Sequence, residues 1–390
     1  MEKDRAADGL RGIAALAVFF EHFLLIFYPG GFQHFFPWVA APGAHSGWAE
    51  KVLQWPFVSA LISGGLAVCI FFVLSGYVLT KQYTKSANID ALRSLAGRRY
   101  LRLGIPVFAS VMLSYGLFCL LPYQVNAVAE ITKSAWLTSQ SIQGQPGLLD
   151  ALKDGVYGAI FLGRVGLNSP LWTIRIEFIG SMLIFAYSAL AWTGRRGLIS
   201  AATYLALIYF YAPQEWPYYL AFLLGSYLGN AKIRLNGWAS AGSVLAALYL
   251  ASLDGSPMFA WLHKLPFEPG ILASLCYVLA GGLIVLVARY GTFGRIFTAR
   301  PIQFLGRISY PLYLVHVPII MTMGCGVFLS VQAGTMRSLA VAVTLVATLA
   351  MVILVAWIFE RYVDQPAIRL SKLLVRHERR NPAMVTDAAR

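Results

Sequence analysis

Arg11 and His22 lie eleven residues apart in a run from Leu10 to Phe23 that is otherwise apolar apart from Glu21. At about 100° per residue, that spacing returns both side chains to one helix face within roughly 20°. With Arg11 at the inner boundary of a bilayer, a rise of roughly 16 Å sets His22 near its middle. Ionisable groups at that depth are costly, which marks them as functional candidates, and a neutral imidazole can take a proton from a hydroxyl. A packing histidine bonded to a neighbouring helix fits the same pattern. Glu177 lies about six residues, or roughly 9 Å, inside the outer boundary of its own apolar span, close to the depth of His22. It can pair with His22 or with Arg175 in its own helix. Arg99 and Arg102 are three apart, so their planar forks can meet one polyanion together; lipid headgroups at a cytoplasmic helix end would also satisfy them. Ser309, Tyr313 and His316 follow helical spacing and make a second polar stripe, with Pro311 and Pro318 as expected kinks. His316 reads there as a buried, hydrogen-bonded histidine.

These residues need a membrane-embedded scaffold. Hydrophobic residues make up 58% of the 390, and charged residues only 12%. Mean hydropathy is +0.65, far from that of a soluble domain. Apolar spans fall near 11–29, 57–80, 104–121, 170–192, 197–212, 216–230, 236–253, 269–289, 303–324 and 337–359, which predicts an all-α polytopic bundle of about ten transmembrane helices. An even number of crossings puts both termini on one side. Most of the 31 Lys and Arg residues, including the stretch from Lys81 to Arg102, then lie on that side too, which makes it the cytoplasm. A membrane surface accounts for the net charge of +14 better than nucleic acid does. The first apolar segment reads as a retained helix rather than a signal peptide, and the four cysteines lack metal or redox spacing, so neither a disulfide nor a metal site is expected. The outer loop 30–56 carries His34 and His45, both expected to face solvent. The connection 122–169 is expected to hold an amphipathic or re-entrant helix from Leu148 to Leu162. His263 and Glu268 read as loop polars. Residues 1–375 form the transmembrane domain and 376–390 a polar, disordered cytoplasmic tail.

Taken in order, these motifs resemble the acyltransferase-3 family of membrane-bound enzymes. The arginine, ten intervening residues and histidine of the first helix are similar to that family's opening signature. So are Phe71-Phe72 followed by Ser75-Gly76, Arg99 with Arg102, Trp172 ahead of Glu177, the segment Ser309-Tyr310-Pro-Leu-Tyr313-Leu-Val-His316, and the ending Phe359-Glu360 to Pro366. Two departures stand out: Cys69 occupies a place where the family often carries aspartate, and Arg175 intervenes before Glu177. The resemblance implies transfer of an acyl group, short and for example acetyl, from acyl-CoA to a hydroxyl of a carbohydrate or cell-envelope glycan. It implies His22 as base, with Glu177 holding or stabilising its ring. Arg11 would manage donor charge, and Arg99 and Arg102 would meet the nucleotide of acyl-CoA. Acyl-CoA is then a substrate, with no permanently bound cofactor; membrane lipids are the other partners, and a bacterial source would place the chain in the plasma (inner) membrane. Two other readings compete: a proton-coupled transporter of a polar or acyl-linked substrate, which lacks a visible internal repeat, and an O-acyltransferase of another fold built around His316 alone.

Overall fold

The computed structural model describes residues 4–44, 47–86, 89–121, 124–140, 147–190, 195–229, 231 and 233–380. His45 and the last ten residues of the expected tail lie outside them. Helices overlie all ten expected spans: α1 (Arg5–Phe27), α2 (Gly64–Ser86), α3 (Ile89–Leu120), α4 (Trp172–Leu190), α5 (Arg195–Tyr211), α6 (Trp216–Leu228), α7 (Gly237–Ala251), α8 (Pro269–Tyr290), α9 (Arg300–Ile319) and α10 (Arg337–Phe359). A further helix, α11 (Gln365–Arg380), runs into the segment expected to be disordered. Among the described residues, seven helical stretches, those built on α1 to α4 and α8 to α10, are long and apolar enough to cross a membrane. The other three, α5, α6 and α7, have 17, 13 and 15 residues.

Local chemistry sets the helix ends. Asp4 caps α1 by accepting from the Ala7 N–H at 3.3 Å, and Asn236 caps α7 through Ala239 N–H at 2.8 Å. Proline opens α6, α8 and α9, where a missing N–H costs nothing. Inside α9, by contrast, Pro318 leaves the Leu314 carbonyl without its helical donor. Asn168 Nδ2 and Ser110 Oγ donate to that carbonyl at 2.7 and 2.8 Å, and the helix continues through a π-helical turn at Ile320–Gly324.

Two boundaries differ from expectation. The second span begins at Gly64 instead of 57, because Phe57 takes a left-handed backbone (φ 72°) and a separate turn of helix, Val58–Leu61, precedes it. The Phe57 N–H is held by Ser252 Oγ at 2.8 Å. The basic stretch from Lys81 to Arg102 is largely helical instead of a loop. Here α2 runs on to Ser86 and α3 starts at Ile89, since hydropathy marks only the apolar part of a helix that continues into the headgroup zone.

Contacts fix helix directions. Gly12 packs on Leu305 and Gly306, and His22 meets His316, so α1 and α9 run parallel. Trp172, Gly180 and Tyr187 of α4 meet Tyr218, Phe222 and Tyr227 of α6 in the same order. Phe72 and Gly76 of α2 meet Tyr218 and Phe222 of α6, while Gly65, Cys69 and Tyr77 of α2 meet Tyr277, Gly281 and Arg289 of α8. These pairs are parallel as well.

Candidate active site

A cavity of about 460 Å³ opens among α1, α2, α3, α4, α9 and α11. Six of its lining side chains are basic (Arg11, Arg98, Arg99, Arg102, Arg307 and Lys372) and three are acidic (Asp8, Glu177 and Asp364). Deeper in, the walls turn apolar with Val68, Phe71, Phe72 and Ile174, and Tyr313 closes that region. One end is therefore suited to a polyanion and the other to a short apolar group.

The arginines are held by carboxylates. Arg99 Nη2 donates to Glu177 Oε1, and Arg99 Nε donates to Ser181 Oγ at 2.9 Å. Ser75 Oγ–H donates to the same Glu177 oxygen at 2.7 Å. Glu177 thus meets neither His22 nor Arg175. Two residues apart on a helix do not face each other, and Arg175 turns instead to Glu215 at 3.5 Å. Arg102 donates to Asp364 and lies over the Tyr310 ring at 5.9 Å. The two arginines line one cavity, each braced by its own carboxylate, Arg99 by Glu177 and Arg102 by Asp364. Arg11 pairs with Asp8 one turn earlier, at 3.5 Å, and faces the same space.

His22 and His316 lie beyond the cavity wall. Their rings are 5.0 Å apart between centroids, with His316 Nε2 3.0 Å from His22 Nδ1. His22 Nδ1 also lies 3.0 Å from the Val18 carbonyl, and His316 Nδ1 lies 2.8 and 3.2 Å from the carbonyls of Tyr313 and Leu312. The stripe expected to form a second polar site therefore joins the first. Ser309 and Tyr313 line the cavity while His316 reaches past it to His22. Tyr313 links the two regions: its hydroxyl is tied to the Pro170 carbonyl at 3.0 Å and to Thr173 Oγ1 at 2.8 Å. Its ring walls the cavity, and its carbonyl holds His316.

One further segment packs on the histidines. Trp136, in the short helix Ala135–Ser139, packs on the His22 ring at 5.3 Å, and the preceding Ser134 donates to the Leu25 carbonyl at 2.7 Å. Neither residue was marked by spacing or motif. Ser75 entered only through the Phe71-Phe72 and Ser75-Gly76 resemblance, without a partner of its own. Of the remaining expectations, His34 is half exposed and lies 3.7 Å from Asp254, His263 bonds the Asp254 carbonyl at 2.7 Å, and Glu268 is exposed. The expected outer helix exists as Leu148–Lys153 continuing into a π-helical stretch, Asp154–Leu162.

The family model described as "Acyltransferase domain" matches residues 4–361. The chain is 26% identical over 439 aligned positions to O-acetyltransferase PaAT-1 of Phomopsis amygdali, an alignment that covers 94% of this chain and 83% of that protein. It is 25% identical over 382 positions to acyltransferase clz18 of Cochliobolus lunatus, covering 80% of this chain and 81% of that one. No solved structure matches it. With the family match running from the cap of the first helix past the end of α10, and seven helices able to cross a bilayer, the chain belongs to the acyltransferase-3 family and is a multi-pass membrane O-acyltransferase.

Proposed function

We propose that the chain transfers a short acyl group, with acetyl as the first candidate, from acyl-CoA to a hydroxyl of a carbohydrate or cell-envelope glycan. The observation that carries this reading is the cavity, basic at one end and apolar at the other, whose inner wall is the residue that also holds the histidine pair. Arg98, Arg99, Arg102 and Lys372 would meet the phosphates of the donor, with Arg11 and Arg307 adding charge. Val68, Phe71 and Tyr313 would surround the acyl group. The name of the fungal O-acetyltransferase relative supports acetyl and an oxygen acceptor.

His22 is the base of this mechanism. As the acceptor oxygen attacks the thioester carbonyl and the new C–O bond forms, its proton passes to His22 Nε2. When the tetrahedral intermediate collapses, the C–S bond breaks and CoA leaves as thiolate, which takes the proton from the imidazolium. The reaction thus closes without net charge transfer to the protein. Glu177, bound to Arg99 and Ser75, keeps an arginine fixed beside the donor and does not orient the base.

Ten crossings with both ends in the cytoplasm remain our topology. The parallel pairs support it: α4 and α6 can run the same way only if α5 crosses between them, and α2, α6 and α8 only if α7 does as well. The excess of Lys and Arg beside the cavity entrance supports assigning that side to the cytoplasm, where acyl-CoA is available. To test the reaction, membranes holding the protein are incubated with labelled acetyl-CoA and candidate glycans, with an alkali-labile ester on the glycan as the expected product. Glycan accumulating in sealed vesicles without any ester would replace this reading with transport.

A further inference from the structure

His316 is fully buried, and its two ring nitrogens face different kinds of partner. Nδ1 lies against the carbonyls of Tyr313 and Leu312, at 2.8 and 3.2 Å. Carbonyl oxygens only accept, so Nδ1 carries the proton and Nε2 of the neutral ring carries a lone pair. That lone pair lies 3.0 Å from His22 Nδ1, which is itself 3.0 Å from the Val18 carbonyl. His22 Nδ1 therefore faces two acceptors and must be the donor to both. This leaves the lone pair of His22 on Nε2.

From this geometry we infer that His316 is the positioning residue of the reaction, acting entirely through His22: it fixes the tautomer in which Nε2 can take the hydroxyl proton. The inference rests on the reading of His22 as base. In the other tautomer, His22 would present an N–H at Nε2 and could not remove a proton. Once Nε2 is protonated, the acceptor at Nδ1 also stabilises the imidazolium, as an orienting partner does in other histidine-dependent transferases and hydrolases. The fixed point is backbone, since the carbonyls of Tyr313 and Leu312 set the His316 ring and that ring sets the next one. Among the described residues no carboxylate hydrogen-bonds to either ring, which distinguishes this pair from an orienting acid.

The test compares His316→Gln, His316→Met and His316→Asn, each measured per correctly inserted molecule with acetyl-CoA as donor. Gln can place an oxygen acceptor near the former Nε2. Met fills a similar volume without a strong acceptor, and Asn keeps an N–H near Nδ1 with nothing where Nε2 was. We expect kcat to fall about 10²-fold in the Met and Asn variants, at the lower end of what a positioned base contributes, and to stay within about tenfold in Gln. The KM for acetyl-CoA should stay unchanged in all three. In a His22→Gln background, His316→Met should cost nothing further, because a residue that acts through another has no effect once that residue is gone. Equal turnover in Met and Gln, or a full additional loss in the double variant, would overturn the inference and leave His316 as packing. Normal turnover in His22→Gln alone would instead remove the base reading, and wild-type membranes inert toward acetyl-CoA would remove the donor reading.

Discussion

The cavity and the histidine pair are joined through Tyr313, and they solve the problem of polar groups in a membrane in opposite ways. On the cavity side each of the central arginines has a carboxylate: Asp8 for Arg11, Glu177 for Arg99, Asp364 for Arg102. At the histidine pair the hydrogen-bonding partners of the imidazoles among the described residues are backbone carbonyls and each other, with no acid among them. A charged pair in a poorly solvated site must be balanced on the spot, whereas a neutral ring only needs its hydrogen bonds met. The comparison suggests a division of labour. On the proposed mechanism, charge stays at the end where a polyanionic donor would enter, and the group that would change protonation during turnover is held by neutral partners.

The largest effect that could break this division is expected at His22. His22→Ala should lower kcat by roughly 10²–10⁴-fold with little change in the donor KM, measured at saturating acetyl-CoA per inserted molecule. A shift confined to KM would mean that the histidine belongs with the arginines and that the wall at Tyr313 separates nothing. The next effect is on stability. Arg99→Ala leaves Glu177 with Ser75 as its remaining hydrogen-bond donor and should cost about 3 kcal/mol, the low end for breaking a buried pair. Adding Glu177→Gln should restore most of that loss in thermal melts, whereas no recovery would mean that Glu177 has a further task. Third comes Arg102, whose replacement by Ala should raise the donor KM about tenfold with kcat intact. Lys should recover only part, since a point charge lacks the planar fork. The smallest effect concerns Asp4 at the N-terminal end of α1. Burial alone would raise its pKa, but hydrogen bonds from Lys81, Tyr77 and the Ala7 N–H outweigh that and bring it down to about 2. A carboxylate depressed in the folded state stabilises above its unfolded pKa of about 3.9, and that stability is lost as pH falls toward the folded value. Asp4→Asn should therefore flatten the fall in melting temperature between about pH 5 and about pH 3.

Much of the scaffold could be read from hydropathy, because long apolar runs have few alternatives in a chain of this composition. Hydropathy could not find the break before Gly64 or the helical continuation through Lys81 to Arg102. The first depends on the backbone angle of one phenylalanine and a serine 195 residues away, the second on helices leaving the apolar layer. Within the site, local spacing put Ser309, Tyr313 and His316 on one helix and Arg11 and His22 on another, as α9 and α1 have them. Partners were the part that spacing could not supply. His316 is 294 positions from His22, and Glu177 is 78 from Arg99, so those pairings exist only once the bundle has packed. Matching depth had suggested Glu177 for His22, whereas the packed bundle gives Glu177 to Arg99 and Ser75.

The parallel packing of α1 and α9 behaves as a pair of meshed racks. A Cβ on Gly12 would come within 2.4 Å of Gly306 N, so the backbones touch there and nothing larger fits. Ten residues further along each helix stand His22 and His316, in contact at 3.0 Å. The count is the same on both sides, so the phase set at the glycines is delivered unchanged to the imidazoles about 15 Å away. One residue inserted between Gly12 and His22 would turn the imidazole about 100° away from its partner, while one inserted in both helices would move the pair together. The length of the interval in the first helix is therefore a gear ratio, meaningful only against the equal interval in the ninth.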